Sequence, residues 1–457
     1  MPLPLLLIAT ATTTLTLADY VAAYRDHNPG RQTQVLDVRL AQVEVERRTN
    51  RATRTLSVSP QLGARGYHLT RVGSFDPLLS AGADAEYSYD ANDGTGYSFR
   101  AGVAWPSRSN LPAGNPQYGV EGAYRLPLVR NFGGRQNRYE QDAAKATKDG
   151  AVATLDEQDL MFCADATERY LVRYAAEQQL ATYDELIEEK RRVWAQTIRD
   201  YERKMIQRLD LLAARSDWLA AQSLRARFVA RKARADAALE AFLDGPAPPL
   251  APPPAIVAAT PPKTATIAAT HPRLVRLAAM QRELEQTALL AQERGRDDVE
   301  LAFTVGATRV HDLFVPPKEI ADLTDIYGLV RLTYLWPIER PETDYQAREA
   351  RLRLERVAAE RRALAIELTQ QIREQLELWR HTVEAHRLLE EQRRVMLGQI
   401  RAAHREFSNG KMEFQDYLDH WDRHQRARLD AWDLWLETRL AENRLVPLLG
   451  TLPEHCL

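Results

Sequence analysis

Two stretches of the chain, Gly133–Asp200 and Glu342–Asn409, each run for about 67 residues without a proline, long enough for roughly 100 Å of α-helix. Arg, Glu, Ala, Leu and Gln crowd both runs, the composition of long solvated helices or coiled coils. A single globular domain has no need of helices this long. A simple coiled-coil rod accounts for them but leaves the segments between them without a role.

The two runs sit at equivalent places in a large internal repeat. His27-Asn28-Pro29 opens one helical segment and Thr270-His271-Pro272 another. At the same offset Leu56, Val58, Pro60, Leu62 and Gly63 fall on Val299, Leu301, Phe303, Val305 and Gly306. LPLVR (Leu126–Arg130) matches WPIER (Trp336–Arg340), and RRVWAQTIR (Arg191–Arg199) matches RRVMLGQIR (Arg393–Arg401). Each half reads as helix, strand, strand, very long helix, turn, helix. The first half is residues 12–244 and the second 271–450, with a tail at 451–457. The joining segment, 245–270, contains GPAPPLAPPPAIVAATPPKT and is expected to be extended rather than folded. At the N-terminus the apolar run Leu3–Ile8 followed by Ala9-Thr10-Ala11 fits a signal peptide over residues 1–11, although its basic region is missing, Arg25 being the first positive residue.

The candidate strands alternate with period two. Tyr118, Val120, Gly122, Tyr124, Leu126 and Leu128 share one face; Gln117, Gly119, Glu121, Ala123 and Arg125 share the other. In the second half Val330, Leu332, Tyr334 and Trp336 oppose Gly328, Leu329, Arg331 and Thr333. An aromatic-rich face opposite a small or polar one suits a barrel wall with lipid outside and water inside. Alternation alone favours a half-buried soluble sheet. Four strands cannot close a barrel, and lipid does not tolerate an open edge, so a membrane reading demands several copies. The core strands are expected at 56–66, 117–128, 299–310 and 326–338. Residues 79–105, around the turn ANDGTG, read as an inserted hairpin in an exposed loop, outside the core barrel.

Charge and cysteine usage narrow the classes. The chain has 61 Lys and Arg against 63 Asp and Glu, so no nucleic-acid partner is expected. Its two cysteines, Cys163 and Cys456, are far apart and indicate neither a disulfide framework nor a zinc site. No stretch reaches the roughly twenty apolar residues of a membrane-spanning helix.

The second long run breaks at FSNGKMEFQDYLD, Phe407–Asp419, where Asn409-Gly410 is a turn signal and Asp416 and Asp419 follow three apart. On its own this is an ordinary helix start, where acids favour the N-terminal dipole. Asp416, His420 and His424 lie at i, i+4, i+8, a spacing able to ligate a metal, but one helix supplies only part of a coordination shell, and no metal or cofactor is assigned. Trp421, Trp432 and Trp435 read as interhelical packing. With no Gly-rich phosphate loop and no nucleophile–base pair, an enzyme is not expected.

The order of elements, the duplication and three motifs together resemble the TolC-like outer-membrane efflux proteins, over nearly the whole chain. LTLADYVAAYRDHNP (Leu15–Pro29) is similar to the family's opening segment, and YRLPLVRNFGGR (Tyr124–Arg135) to its strand-to-helix junction. FSNGKMEFQDYLD followed by AENRLVPLLG (Ala441–Gly450) resembles its last helix-turn-helix, and is the most specific of the three.

The resemblance implies a mainly α fold with β: a homotrimer whose protomers give four strands each to a twelve-stranded outer-membrane barrel that continues into a periplasmic helical barrel. It implies a Gram-negative outer-membrane location in contact with lipid. It also implies a passive exit duct for a tripartite efflux or type I secretion system, partnered by a periplasmic adaptor and an inner-membrane transporter. A periplasmic coiled-coil scaffold without a pore is the alternative. Asp416 and Asp419 would ring the periplasmic gate. Phe407, Asn409, Gly410, Lys411, Tyr201, Lys204 and Asp210 would form the tips that meet the adaptor. The chain departs from the family pattern with Phe407 in place of a tip tyrosine, Met412 in place of an arginine and Lys204 in place of a glycine.

Overall fold

A computed structural model of the chain describes residues 14–68, 75–106, 117–204, 207–243, 245–254, 270–310, 324–335, 341–409 and 411–456. The expected signal peptide and Gly410 lie outside the described residues. The helices are α1 (Leu17–His27), α2 (Pro29–Thr49), α3 (Arg135–Glu202), α4 (Arg208–Glu240), α5 (Pro272–Arg294), α6 (Pro341–Ser408), α7 (Phe414–Asn443) and α8 (Leu445–Leu449). The strands are β1 (Thr53–His68), β2 (Phe75–Asp90), β3 (Gly96–Pro106), β4 (Gln117–Pro127), β5 (Asp298–Val310) and β6 (Thr324–Leu335). The two proline-free runs are the 68-residue helices α3 and α6. The described chain divides into a helical unit (Met1–Asp37, Val152–Arg276, Arg361–Leu457) and a sheet-bearing unit (Val38–Ala151, Leu277–Glu360).

In the sheet-bearing unit all six strands form one antiparallel sheet in the order β1-β2-β3-β4-β5-β6. This corrects the expectation of four strands. The segment 79–105 is not a loop insertion: β2 pairs with β1 along its whole length, from Thr53 opposite Asp90 to His68 opposite Phe75, and β3 pairs with β4. Alternation was visible in the segment, but alternation does not say which strands neighbour one another. The register also moves Gly328 to the face of Val330, opposite Val305.

Helical segments of the same unit are tied together by buried acids. Glu140 of α3 is 7% exposed and takes Arg48 (2.8 Å), Arg294 (3.1 Å) and Arg51. Glu293 of α5, 2% exposed, takes Arg296 (3.1 Å), Arg135 (3.3 Å) and the backbone N–H of Asn131 (3.1 Å). A carboxylate can be buried at this depth only when several donors replace its water. The strand-to-helix junction needs left-handed backbone at Asn131, Gly133 and Gly134. At Gly134 (φ +72°) a Cβ would also lie 2.5 Å from the Asn92 carbonyl oxygen, so only glycine fits.

The helical unit is a layer in the order α4-α3-α7-α6. Trp194 of α3 stacks on Trp218 of α4 at 4.8 Å, and Tyr183 lies 4.4 Å from Phe228. Leu171 and Ala175 of α3 pack on Leu436 of α7. Ile372, Leu376 and Trp379 of α6 pack on Ala441 and Leu445. Trp432 and Trp435 lie with their rings 6.3 and 5.6 Å from that of Tyr174 on α3. The outer helices leave apolar side chains uncovered: Leu209, Leu212 and Leu219 on α4, and Ile366, Leu388 and Val395 on α6.

The densest core joins Tyr20 and Tyr24 of α1 to Cys163, Ala166 and Tyr170 of α3, Leu239 of α4 and Cys456. One sequence reading is corrected here. Cys163 and Cys456 form a disulfide with Cα atoms 5.9 Å apart, because residues after Gly450 fold back onto α3. The described start of the linker, 245–254, has no helix and lies against this core. Leu250 pairs with Leu15 in a parallel bridge, and Tyr170 donates its hydroxyl to the Ala251 carbonyl at 2.6 Å.

Candidate functional site

Two regions carry the functional reading: the two faces of the sheet, and the turns at which the long helices reverse. Antiparallel partners directly opposite one another share a face, so the register sorts every residue of the sheet. One face carries Leu56 and Val58 of β1, Ala85 and Tyr87 of β2, Phe99 and Val103 of β3, Tyr118, Val120 and Tyr124 of β4, Phe303 and Val305 of β5, and Val330, Leu332 and Tyr334 of β6. These large side chains stand in the open: Leu56 is 73% exposed, Val305 63% and Ile326 78%. Water-exposed sheets do not carry an apolar face of this extent, which marks contact with lipid or another protein.

The opposite face is mainly polar, with Ser57, Ser59, Asp84, Glu86, Ser88, Ser98, Arg100, Glu121, Arg125, Thr304, Tyr327, Arg331 and Thr333, and with Leu329 and Leu335 of β6 among them. Its charges are organised across strands. Glu86, Arg100 and Glu121 stand in one row, and Arg100 reaches Asp84 at 2.9 Å. Arg125 reaches Asp90 at 3.0 Å. The Tyr327 hydroxyl donates to Glu121 at 3.0 Å by lying across Gly306, where a Cβ would fall 2.3 Å from the tyrosine ring. Sequence alternation supplied the phase of these strands. The cross-strand partners required the register.

The turns lie in the helical unit. At the end of α3, Lys204 has φ +57°, the left-handed conformation that a glycine would supply without strain. Asp210, in the first turn of α4, accepts from the backbone N–H of Gln207 at 3.0 Å and so caps that helix. Tyr201 is 39% exposed. At the other turn α6 ends at Ser408, the residue after Phe407, whose side chain lies outside the described residues. Asn409 and Lys411 close the turn, with the Asn409 N–H donating to Arg405 O and the Lys411 N–H to Glu406 O.

Asp416 falls in the first turn of α7, and both it and Asp419 are exposed; Asp419 is 3.9 Å from Arg423. Leu418 is buried beside them and the ring of Tyr417 lies 5.8 Å from that of His404. The two acids therefore stand clear of the packed face of α7. His420 is half-buried and His424 buried, and burial, with Arg428 and Arg393 nearby, pushes the His424 imidazole below its ordinary range.

Lys190 of α3 was passed over in the sequence. It is buried, and its ammonium meets Asp422 of α7 at 2.7 Å and Asp217 of α4 at 3.6 Å, bridging three helices. Its signal was positional: Lys190 falls on the helical stripe of Tyr183, Val193 and Thr197, where an apolar residue is the default. The three His, Cys or acidic ligand atoms that come together among the described residues are those of Cys163, His455 and Cys456, two of them in the disulfide. No described helix is long and apolar enough to cross a membrane.

No protein-family model and no curated protein matches the chain. Solved structures do. A membrane protein from Pseudomonas aeruginosa superposes with a TM-score of 0.69 at 15% identity, covering 95% of this chain and 93% of that one. The CmeC outer membrane channel of Campylobacter jejuni gives 0.67 at 12%, covering 95% and 85%. The outer membrane protein VceC of Vibrio cholerae gives 0.65 at 12%, covering 95% and 96%. The chain is similar to these proteins over nearly its full length and has their fold.

Proposed function

We propose that the chain is the outer-membrane exit channel of a tripartite export system: a homotrimer that conducts solutes passively and meets a periplasmic adaptor and an inner-membrane transporter. The observation that carries this reading is the sheet. Its two faces are sorted, one apolar and one mainly polar, across all six strands, and among the described residues neither edge strand, β1 or β6, has a partner on its outer side. A sheet in lipid must close, because an unpaired backbone edge has no water to satisfy it. Copies of the same chain supply the missing edges. A coiled-coil scaffold without a pore accounts for the long helices but leaves an exposed apolar sheet face with no function.

Two further features support the reading. The uncovered apolar side chains of α4 and α6 give each copy two different edges that can meet in a ring, the arrangement that closes a cyclic oligomer. The Cys163–Cys456 disulfide suits an oxidising compartment such as the periplasm. In this reading Asp416 and Asp419 ring the periplasmic gate. The turns at Tyr201, Lys204 and Asp210 and at Phe407, Asn409, Gly410 and Lys411 meet the adaptor. No chemistry on the solute is proposed.

The test is purification of the full chain from an outer-membrane fraction and reconstitution in planar bilayers. A trimer that forms ion-conducting pores is the expected result. A soluble rod, or a membrane protein that never conducts, overturns the proposal.

A further inference from the structure

We propose that the hairpin β2–β3 is part of the channel wall, so that three copies close a barrel of eighteen strands, six from each, with a lumen wider than a twelve-stranded wall allows. This rests on the exit-channel reading above and goes beyond it in naming the wall.

Three observations place the hairpin in the wall. The first is its pairing. β2 is bonded to β1 over residues 53–68 and β3 to β4 over 96–104, so the hairpin separates β1 from β4 and cannot leave without breaking both ladders. The second is its phase. Ala83, Ala85 and Tyr87 of β2 and Phe99, Ala101 and Val103 of β3 continue the apolar face, while Asp84, Glu86, Ser98 and Arg100 continue the polar one. A hairpin lying in water outside the wall has no reason to keep that sorting in register with its neighbours. The third is its turn. Asn92 Nδ2 donates to the Thr49 carbonyl at the end of α2 (2.8 Å), and Asn137 Nδ2 of α3 donates to the Asn92 carbonyl (2.8 Å). The turn 91–95 is thus seated at the helix end of the sheet-bearing unit. The hairpin runs the height of the sheet between that end and the end at which β1 and β4 have their far termini.

Among the described residues the edges left open are then those of β1 and β6, at opposite sides of a six-stranded sheet. The partner that lipid requires at each edge is a second copy of this chain, β1 of one against β6 of the next. Barrel diameter grows roughly linearly with strand number, so the lumen at the sheet is about 1.5 times as wide as that of a twelve-stranded barrel. Its wall carries the Glu86–Arg100–Glu121 row as a belt repeated in each copy. The cargo admitted by such a wall is correspondingly bulkier, and the wall is not where small solutes are selected.

Substituted cysteines in the full chain test this directly, read with a charged, membrane-impermeant maleimide on the trimer in liposomes. Ser98→Cys and Ala101→Cys probe the two faces of β3; Ala123→Cys and Val120→Cys probe β4 as the reference. The expected result is labelling of the Ser98 and Ala123 variants and loss of labelling for the Ala101 and Val120 variants until the membrane is dissolved. If β4 shows the contrast and β3 does not, the hairpin lies outside the wall and the inference fails while the channel stands. If β4 shows no contrast either, the channel reading itself fails. A cryo-electron microscopy map of the unmodified trimer in nanodiscs gives a second readout. Eighteen strands support the inference, and a wall of twelve overturns it.

Discussion

Cys163, in the middle of α3, is bonded to Cys456, which stands in the last described turn, with Cα atoms 5.9 Å apart at a sequence separation of 293. The bond fixes the segment after Gly450 against the Tyr20–Tyr24–Tyr170 core. A cross-link closing a loop this long restricts the unfolded chain strongly and stabilises by roughly 2–5 kcal/mol. Replacing both residues, Cys163→Ser with Cys456→Ser, is expected to destabilise the helical unit by about that amount. The measurement is denaturant or thermal unfolding of the purified chain. The wild type should become reductant-sensitive and the double variant indifferent to reductant.

Glu140 is nearly free of solvent, while its partners Arg48, Arg51 and Arg294 keep a third to half of their side-chain surface in water. Removing the carboxylate charge leaves three guanidinium groups facing one another with partial hydration. Glu140→Gln is expected to cost about 2 kcal/mol, whereas Arg51→Ala, which leaves two arginines on the acid, costs less than about 1 kcal/mol. Limited proteolysis at the junction of α3 with the sheet reads the difference. Equal sensitivity of the two variants would show that the cluster adds nothing beyond its individual pairs.

His271 is buried at the start of α5. Its Nε2 donates to the Pro447 carbonyl (3.1 Å), and its Nδ1 accepts from the Arg273 N–H (3.2 Å). Burial pushes its imidazole below the ordinary value of 6.5, and the nearby Arg273 lowers it further, against the raising effects of Pro447 and Glu157. His424 and His455 are shifted in the same direction, burial leading in both. With a lowered folded pKa the unfolded chain takes up the proton first. This contribution to stability is present above about pH 6.5 and is lost as pH falls below it. His271→Asn keeps a side-chain acceptor at the helix start, as Asn28 has toward Gly30 at the start of α2 (2.9 Å). It is expected to flatten the decline of melting temperature between pH 6.5 and 4.5. A decline unchanged in slope would assign the effect to His424, His455 or the carboxylates.

Lys204 holds a left-handed conformation that costs an L-residue about 1–2 kcal/mol, while glycine brings an entropic cost of about 0.5–1 kcal/mol. The difference favours Lys204→Gly by about 0.5 kcal/mol. A small rise in melting temperature is the expected outcome. A fall would mean that the lysine side chain contributes to the turn more than its backbone strain costs.

Asp416 and Asp419 stand exposed just past the second helical turn. If they ring the gate, Asp416→Ala with Asp419→Ala removes fixed negative charge from the narrowest aperture. Single-channel conductance should rise, cation selectivity should fall, and block by divalent cations should disappear. Recordings in which all three properties match the wild type would make these acids ordinary helix-start residues.

Much of this architecture is legible in the residues alone, because it rests on local physics. The absence of proline and the crowding of good helix formers place α3 and α6, each within about two residues of its expected ends. Period-two alternation places the strands and tells the Tyr118 face of β4 from its Glu121 face, since successive side chains must point to opposite sides. The Asn409-Gly410 signal marks the end of α6 for the same local reason.

Tertiary structure decided what depends on contacts between distant residues. Alternation in 79–105 was plain, yet nothing local says that β2 neighbours β1 and β3 neighbours β4, so the sheet has six strands where four were expected. Cys163 meets Cys456 only because the chain after Gly450 folds back. Lys190 sits in the charged run EEKRRVW, and only the fold brings Asp217 of α4 and Asp422 of α7 against it. The reason is common to all three. Helix and strand periods are set by each residue's own backbone and near neighbours, whereas strand order, disulfide pairing and the ion-pair partners of a buried side chain are set by whatever the fold brings within a few ångströms.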